Sequence, residues 1–155
     1  MKCGYAVLLV LASALSSLLA CAATAPIYDD QADAHQLIAS AIANASQTHK
    51  NVVLDFGANW CLDCHVLDAQ MHEGELARIV REHFVVVHVS VGRFDRNLDV
   101  ARHYGIPLRK GIPALAVLDS RGKLLYAQKD GQFENARAMD PASFLRFFRK
   151  WEPKG

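Results

Sequence analysis

The sequence is short of net charge. Lys and Arg number 17 against 16 Asp and Glu, a formal charge of +1 in 155 residues. No electrostatic case for a nucleic-acid partner follows from that balance. The chain is also short of cysteine. Of its 4 cysteines, Cys3 and Cys21 lie in an N-terminal segment that reads as an export signal. Only Cys61 and Cys64 remain for the folded part, which excludes a disulfide-stapled scaffold and leaves a working pair. Internal repeats and low-complexity tracts are missing from the folded part. What remains is enough for one ordinary domain plus a tail. The 52% hydrophobic content is ample for a core, although the N-terminus inflates it.

Lys2 is the only charge before Asp29, and an apolar run with small residues at its end follows it. One positive charge, an apolar centre and a small-residue end describe a secretory signal. Leu18-Leu19-Ala20-Cys21 resembles a bacterial lipoprotein cleavage box. That resemblance implies a signal over residues 1–20, lipidation of Cys21, a tether over 21–30 and a domain over 31–152. Several acyl chains on Cys21 would make the membrane attachment stable. Ala22 to Asp30, fully extended, would reach roughly 30 Å. Ala22 after the cysteine, by the same resemblance, favours the outer membrane. Two other readings stay open: cleavage near Ala23-Thr24-Ala25 to give a soluble periplasmic protein, and retention as a membrane anchor. All of them place the domain outside the cytoplasm, where disulfides persist.

The remaining chain alternates helical and strand patterns. Ala34, Leu37, Ile38, Ala41, Ile42 and Ala45 recur at helical spacing within 29–50. Val52 to Phe56 reads as a strand buried on both faces, interrupted by Asp55. A helix is predicted from Cys61 through Met71, and a second helical stretch follows Gly74. Phe84 to Val91 alternates as a strand. Asn97 to Tyr104 reads as a short helix, and Pro113–Asp119 with Leu124–Gln128 as a hairpin. Asp140-Pro141 forms an N-cap and first helical position, opening a last helix through Trp151. This order predicts an α/β fold whose strands pair in parallel, with an antiparallel hairpin at the edge.

Trp60-Cys61-Leu62-Asp63-Cys64-His65 carries the chemistry. A cysteine at a helix N-terminus faces unpaired N–H groups and the positive end of the dipole, which favour a reactive thiolate. Val53 through Cys64 resembles the active-site segment of thioredoxins, and Gly111-Ile112-Pro113 resembles that family's cis-proline loop. The resemblance covers about Asp33 to Trp151. It implies a thioredoxin-like fold, a central mixed sheet flanked by helices, without the first strand of thioredoxin itself. It implies a protein disulfide oxidoreductase that needs no cofactor and no metal. Cys61 would be the nucleophile, Cys64 the resolving thiol and Asp55 the acceptor of its proton. Trp60, Ile112 and Pro113 would bind substrate, with the backbone of Ile112 pairing to an extended segment across a cis Ile112–Pro113 bond. The partners implied are protein or peptide disulfides and a membrane or periplasmic thiol electron donor.

Departures from the family pattern bear on substrate and poise. Gly57 stands where a bulky aromatic is common, which would open one side of the site. The loops 107–110 and 130–139 are expected near the cysteines, with Arg109 and Lys110 as candidates for an acidic contact. Asp63 disfavours a thiolate by like charge, and His65 favours one only when protonated. The balance predicts a reductant or isomerase over a strong oxidase. Two rival chemistries remain. Cys61, Cys64 and a histidine (His65, His72, His88 or His103) could bind copper or zinc as a metal chaperone does. Cys-x-x-Cys-His also satisfies the c-type haem attachment pattern, with Met71 or Met139 as second axial ligand.

Overall fold

The computed structural model describes residues 26–154. The predicted signal, Cys21 with its lipidation and most of the tether lie outside the described residues. Among the described residues no helix is long and apolar enough to cross a membrane.

The centre of the fold is β1, Asn51–Gly57, in which every residue is buried. It pairs in parallel with β2, Phe84–Ser90, and antiparallel with β3, Ala114–Leu118, which pairs antiparallel with β4, Leu124–Ala127. The sheet order is β2-β1-β3-β4. The parallel pair expected from the alternation is present, but β3 runs against β1. The connection contains one short α-helix, Leu98–His103, of 6 residues, and β3 starts beside Phe56, at the same end of β1 where β2 finishes beside Gly57.

Side chains leave a strand alternately to its two faces, and this splits the core into two layers. Val52, Leu54, Phe56, Ala116 and Leu118 join one cluster with Ile38, Ala41 and Ala45. These last three lie on the first helix, α1 (Ala34–Thr48). Val53, Leu115 and Val117 join the other cluster with Leu67, Ile79, Phe144, Phe147 and Phe148. These belong to α2 (Leu62–Met71), α3 (Gly74–His83) and the last helix, α5 (Pro141–Lys150); the short helix Leu98–His103 is α4. The helix ends follow local chemistry. Asp33 Oδ1 accepts from the N–H groups of His35 and Gln36, at 2.9 and 3.2 Å, and opens α1. Asp140 caps α5 through Ala142 N–H, ahead of Pro141. Gly74, which weakens a continuous helix, marks the break at which α3 begins with φ +55°.

The largest difference from the sequence reading is at the N-terminal edge. Ile27 to Asp30, read as the end of a tether, is packed onto the domain. Tyr28 is fully buried. Its N–H donates to Asn59 Oδ1 at 3.0 Å, and its carbonyl accepts from Asn59 Nδ2 at 2.7 Å. Arg96 Nη1 donates to the Asp30 carbonyl at 2.9 Å, and Ser90 Oγ donates to the Asp30 carboxylate. A buried tyrosine with both backbone groups satisfied belongs to a domain core, so the folded unit begins before residue 31.

Gly57 makes room for that ring. A Cβ at position 57 would fall 2.8 Å from Tyr28 Cε1 and closer still to Cζ and Oη. The expected opening beside Gly57 is therefore filled by an aromatic from another part of the chain. Tyr28→Ala should destabilise the protein by about 3–5 kcal/mol, read from urea unfolding. Gly57→Ala should destabilise in the same direction, since the new methyl and the ring cannot share the space. A Gly57→Ala variant as stable as the parent would contradict the placement of Tyr28.

Candidate functional site

The residues after β1 turn through Ala58 and Asn59, and Cys61 N–H donates to Ala58 O at 3.0 Å. Cys61 caps α2 with an extended backbone, φ −84° and ψ 108°. Its Sγ accepts from Cys64 N–H at 3.1 Å. Cys61 and Cys64 form a disulfide with Cα atoms 5.2 Å apart. Cys64 is fully buried, whereas Cys61 keeps 5% exposure. The helix start thus presents N–H groups to the outer sulfur, an arrangement that stabilises negative charge there.

The loop before β3 comes up against this sulfur. The Ile112 carbonyl lies 3.6 Å from Cys61 Sγ, and the Ile112–Pro113 bond is cis. Buried Gln128 braces the loop: its Oε1 accepts from Leu115 N–H at 3.2 Å and its Nε2 donates to the Pro113 carbonyl at 3.4 Å. Gln128 was invisible as a site residue in the sequence, because an amide at the end of a strand has no pattern that announces what it holds.

Asp55 is fully buried in the middle of β1. The parallel register sets it beside His88 of β2, and the antiparallel register sets it beside Leu115 of β3. Its Oδ2 accepts from Tyr28 Oη at 2.7 Å and from His88 Nδ1 at 3.0 Å. Its Oδ1 is buried and has no hydrogen-bond partner among the described residues. His88 Nε2 lies 3.7 Å from Asp68 Oδ1 on α2. Burial pulls the His88 imidazolium down, but the hydrogen bond and charge of Asp55, with Asp68 behind, outweigh it and raise His88 above the usual histidine range. Burial, then the Asp55 carboxylate, pushes the Tyr28 phenol far above its ordinary value.

Asp63, between the cysteines, is not the bare negative charge that the sequence suggested. It is 9% exposed. Its Oδ1 accepts from the backbone N–H and Nε of Arg137 at 2.9 and 3.2 Å, and its Oδ2 lies 3.2 Å from Arg137 Nη2. Burial raises the Asp63 carboxyl, but the Arg137 N–H groups and guanidinium outweigh it and hold it below the usual carboxylate range. Arg137 comes from the 130–139 loop, which therefore does reach the site. Arg109 and Lys110 are exposed on the other loop and do not line the groove beside Cys61. That groove, about 330 Å³, is lined by Trp60, Cys61, Asp63, Ile112, Glu134 and Arg137 among others.

Trp60 stands 49% exposed at the rim. Its Nε1 donates to the Gly92 carbonyl at 2.8 Å, and its ring meets Phe94 edge-on at 5.9 Å. Phe94 was not singled out from the sequence. It holds a left-handed backbone, φ 65°, with 42% exposure, a costly position for a bulky residue. With Leu62 at 61% exposure, these side chains line the groove beside the Cys61 sulfur with exposed apolar surface.

Of the residues named for the rival chemistries, Cys61 and Cys64 are paired in the disulfide. His65 Nε2 donates to the Asn59 carbonyl at 2.7 Å and so serves the turn. Met71 is buried in the core. Among the described residues no group of three His, Cys, Asp or Glu side chains is arranged to hold a metal ion.

The thioredoxin-like family profile matches residues 33–120. A disulphide isomerase from Xylella fastidiosa Temecula1 is 42% identical over 83% of this chain and 98% of that one, with a TM-score of 0.78. A thioredoxin from Thermus thermophilus is 22% identical over 72% of this chain and 81% of its own, TM-score 0.54. The C-terminal domain of DsbD from Neisseria meningitidis, reduced, is 21% identical over 80% and 98%, TM-score 0.53. The last two share the fold. No curated protein matches the chain. The chain belongs to the thioredoxin-like family, and its Cys61–Cys64 pair makes it a thiol–disulfide oxidoreductase.

The Asp63–Arg137 pair has a signature in acid. A carboxylate whose folded value is lowered contributes stability above the unfolded carboxyl value, and that contribution is lost as pH falls through the folded value. Asp63→Asn should therefore lower stability at neutral pH and flatten its fall below about pH 4. Urea midpoints across an acid series measure this, and an unchanged pH slope would count against the pairing.

Proposed function

We propose that this protein is an extracytoplasmic enzyme that reduces or isomerises disulfides in envelope proteins. The observation that carries the reading is the Cys61–Cys64 disulfide at the start of α2, with Cys61 the more exposed sulfur and the Ile112 carbonyl beside it. In the reduced enzyme, Cys61 is the nucleophile. The start of α2 stabilises its thiolate, which attacks one sulfur of a substrate disulfide and releases the other as a thiol. Asp55 then takes the Cys64 proton. The Cys64 sulfur attacks Cys61 Sγ, and the bond between Cys61 and substrate breaks. The departing substrate thiolate takes up the proton, which leaves two substrate thiols and the enzyme disulfide. Trp60, Ile112 and Pro113 hold an extended substrate segment across the groove. A membrane or periplasmic thiol donor returns the enzyme to its reduced form.

The direction of electron flow follows from the groove's charges. Arg137 is its single cation and is held by Asp63, while Glu134 adds a second carboxylate. His65 is turned to Asn59 O. This environment works against the thiolate and favours a reducing pair. The name of the Xylella relative, a disulphide isomerase, supports the isomerising part of the proposal. Export by a signal over residues 1–20, lipidation at Cys21 and anchoring to the outer membrane complete the proposal. The tether is then shorter than 21–30, because Ile27 to Asp30 is folded.

Cys64→Ala, exported to its compartment, should accumulate mixed disulfides on Cys61, seen as thiol-sensitive adducts on non-reducing gels and identified by mass spectrometry. Cys61→Ala should yield none. Equal trapping by both variants, or by neither, would remove the exchange reading. The reduction potential should lie nearer about −270 mV than about −120 mV, measured against a glutathione or dithiothreitol series. A value at the oxidising end would reverse the assigned direction.

A further inference from the structure

The two oxygens of Asp55 are in unequal positions. Oδ2 is taken twice, by Tyr28 Oη and by His88 Nδ1. Oδ1 is taken by nothing among the described residues and is buried. A buried carboxylate is held by donors in proportion to their number and charge. Here both donors pull on one atom, and the other is left as the acceptor. We propose that Tyr28 and His88 are positioning residues for disulfide exchange, which together fix Oδ2 and leave Oδ1 to receive the Cys64 proton. The proposal rests on the reading that Asp55 is that proton acceptor. The step balances within the site: the Cys64 S–H bond breaks, an Oδ1–H bond forms, and the sulfur pair goes to Cys61 as the substrate thiolate leaves.

The two donors arrive by different routes. His88 is given by the sheet, since the parallel register of β1 and β2 sets it next to Asp55. Tyr28 is given by the N-terminal segment, which Asn59 grips through both backbone groups of Tyr28. The space for its ring exists because position 57, two residues beyond Asp55 on the same face, has no side chain. The titratable groups around Asp55 are Tyr28, His88 and, beyond His88, Asp68 of α2. Its β3 neighbour is the apolar Leu115. The phenol keeps its proton throughout the working range, so Tyr28 acts as a permanent donor and never as a competing base. His88 is 24% exposed in its side chain, with Nε2 toward Asp68. It connects the buried carboxylate to the surface.

The test is the pH profile of turnover on a peptide disulfide, with dithiothreitol as reductant, for the full chain and for Tyr28→Phe, His88→Gln and Asp55→Asn. Tyr28→Phe keeps the ring and removes only the hydroxyl, and thermal unfolding checks that each variant is folded. With the phenol O–H gone in Tyr28→Phe, or the imidazolium charge gone in His88→Gln, the carboxylate is protonated more readily. The acid limb should move up by roughly one pH unit in Tyr28→Phe and His88→Gln, while the alkaline plateau stays within about two-fold of wild type. At a pH on the limb this is a loss of about ten-fold. Asp55→Asn should lose the limb and the rate together. If Tyr28→Phe and His88→Gln overlay the wild type while Asp55→Asn does not, the positioning role is wrong and the exchange mechanism stands. A uniform fall in rate without a shift also overturns it, since that is what a purely structural role gives. If Asp55→Asn itself keeps the wild-type profile, the acceptor assignment falls and this inference with it.

Discussion

A carboxylate buried in the central strand constrains this molecule more than any other group. Asp55 sits in mid-strand among Val53, Leu54, Phe56 and Gly57, and a charge there is tolerated only with donors around it. One comes from the neighbouring strand as His88, and the other from outside the sheet as Tyr28. Tyr28 in turn needs a residue without a side chain at 57 and a partner for its backbone, which Asn59 supplies. The Asn59 carbonyl then accepts from His65, just past the second cysteine. A single buried acid thus links the N-terminal edge, the strand and the turn that presents the cysteines.

A second electrostatic arrangement lies on the outer side of the disulfide. The start of α2 favours charge on the Cys61 sulfur, and the groove's carboxylates work against it. Arg137 bears on that balance through the pairing it already makes. Because its guanidinium and its backbone N–H both serve Asp63, its charge is shared with that carboxylate before any thiolate forms. Poise in such a site depends less on which charges are present than on which of them are already paired.

Much of this was legible in the sequence, and the misses have physical causes. The strands announced themselves by apolar runs and alternation, the first helix by its apolar spacing, the last by Asp140 with Pro141, and the site by Cys61, Cys64 and Gly111-Ile112-Pro113. The direction of β3 was not legible, because alternating helix and strand patterns do not say at which end of β1 the chain re-enters the sheet. Asp63 was misread because its partner lies 74 positions away in a loop without periodic pattern. Gly57 was read as an opening for the same reason: the ring that fills it is 29 residues earlier, in a segment that the lipoprotein resemblance made part of a tether. Phe94 gave no signal, since a left-handed backbone at a phenylalanine cannot be inferred from one residue type.

The grip on Tyr28 also sets how the chain handles mechanical load. The N-terminal edge of the described chain, Ile27 to Asp30, lies next to the turn that carries the cysteines. Tension from the N-terminal side is met first by the Asn59 pairing and by the contacts of Asp30 with Arg96 and Ser90. The sheet ladder lies behind them. Those few bonds act as a latch in series with the redox centre, and strain on Ile27 to Asp30 would reach Asp55 through Tyr28 before it reached the sheet ladder.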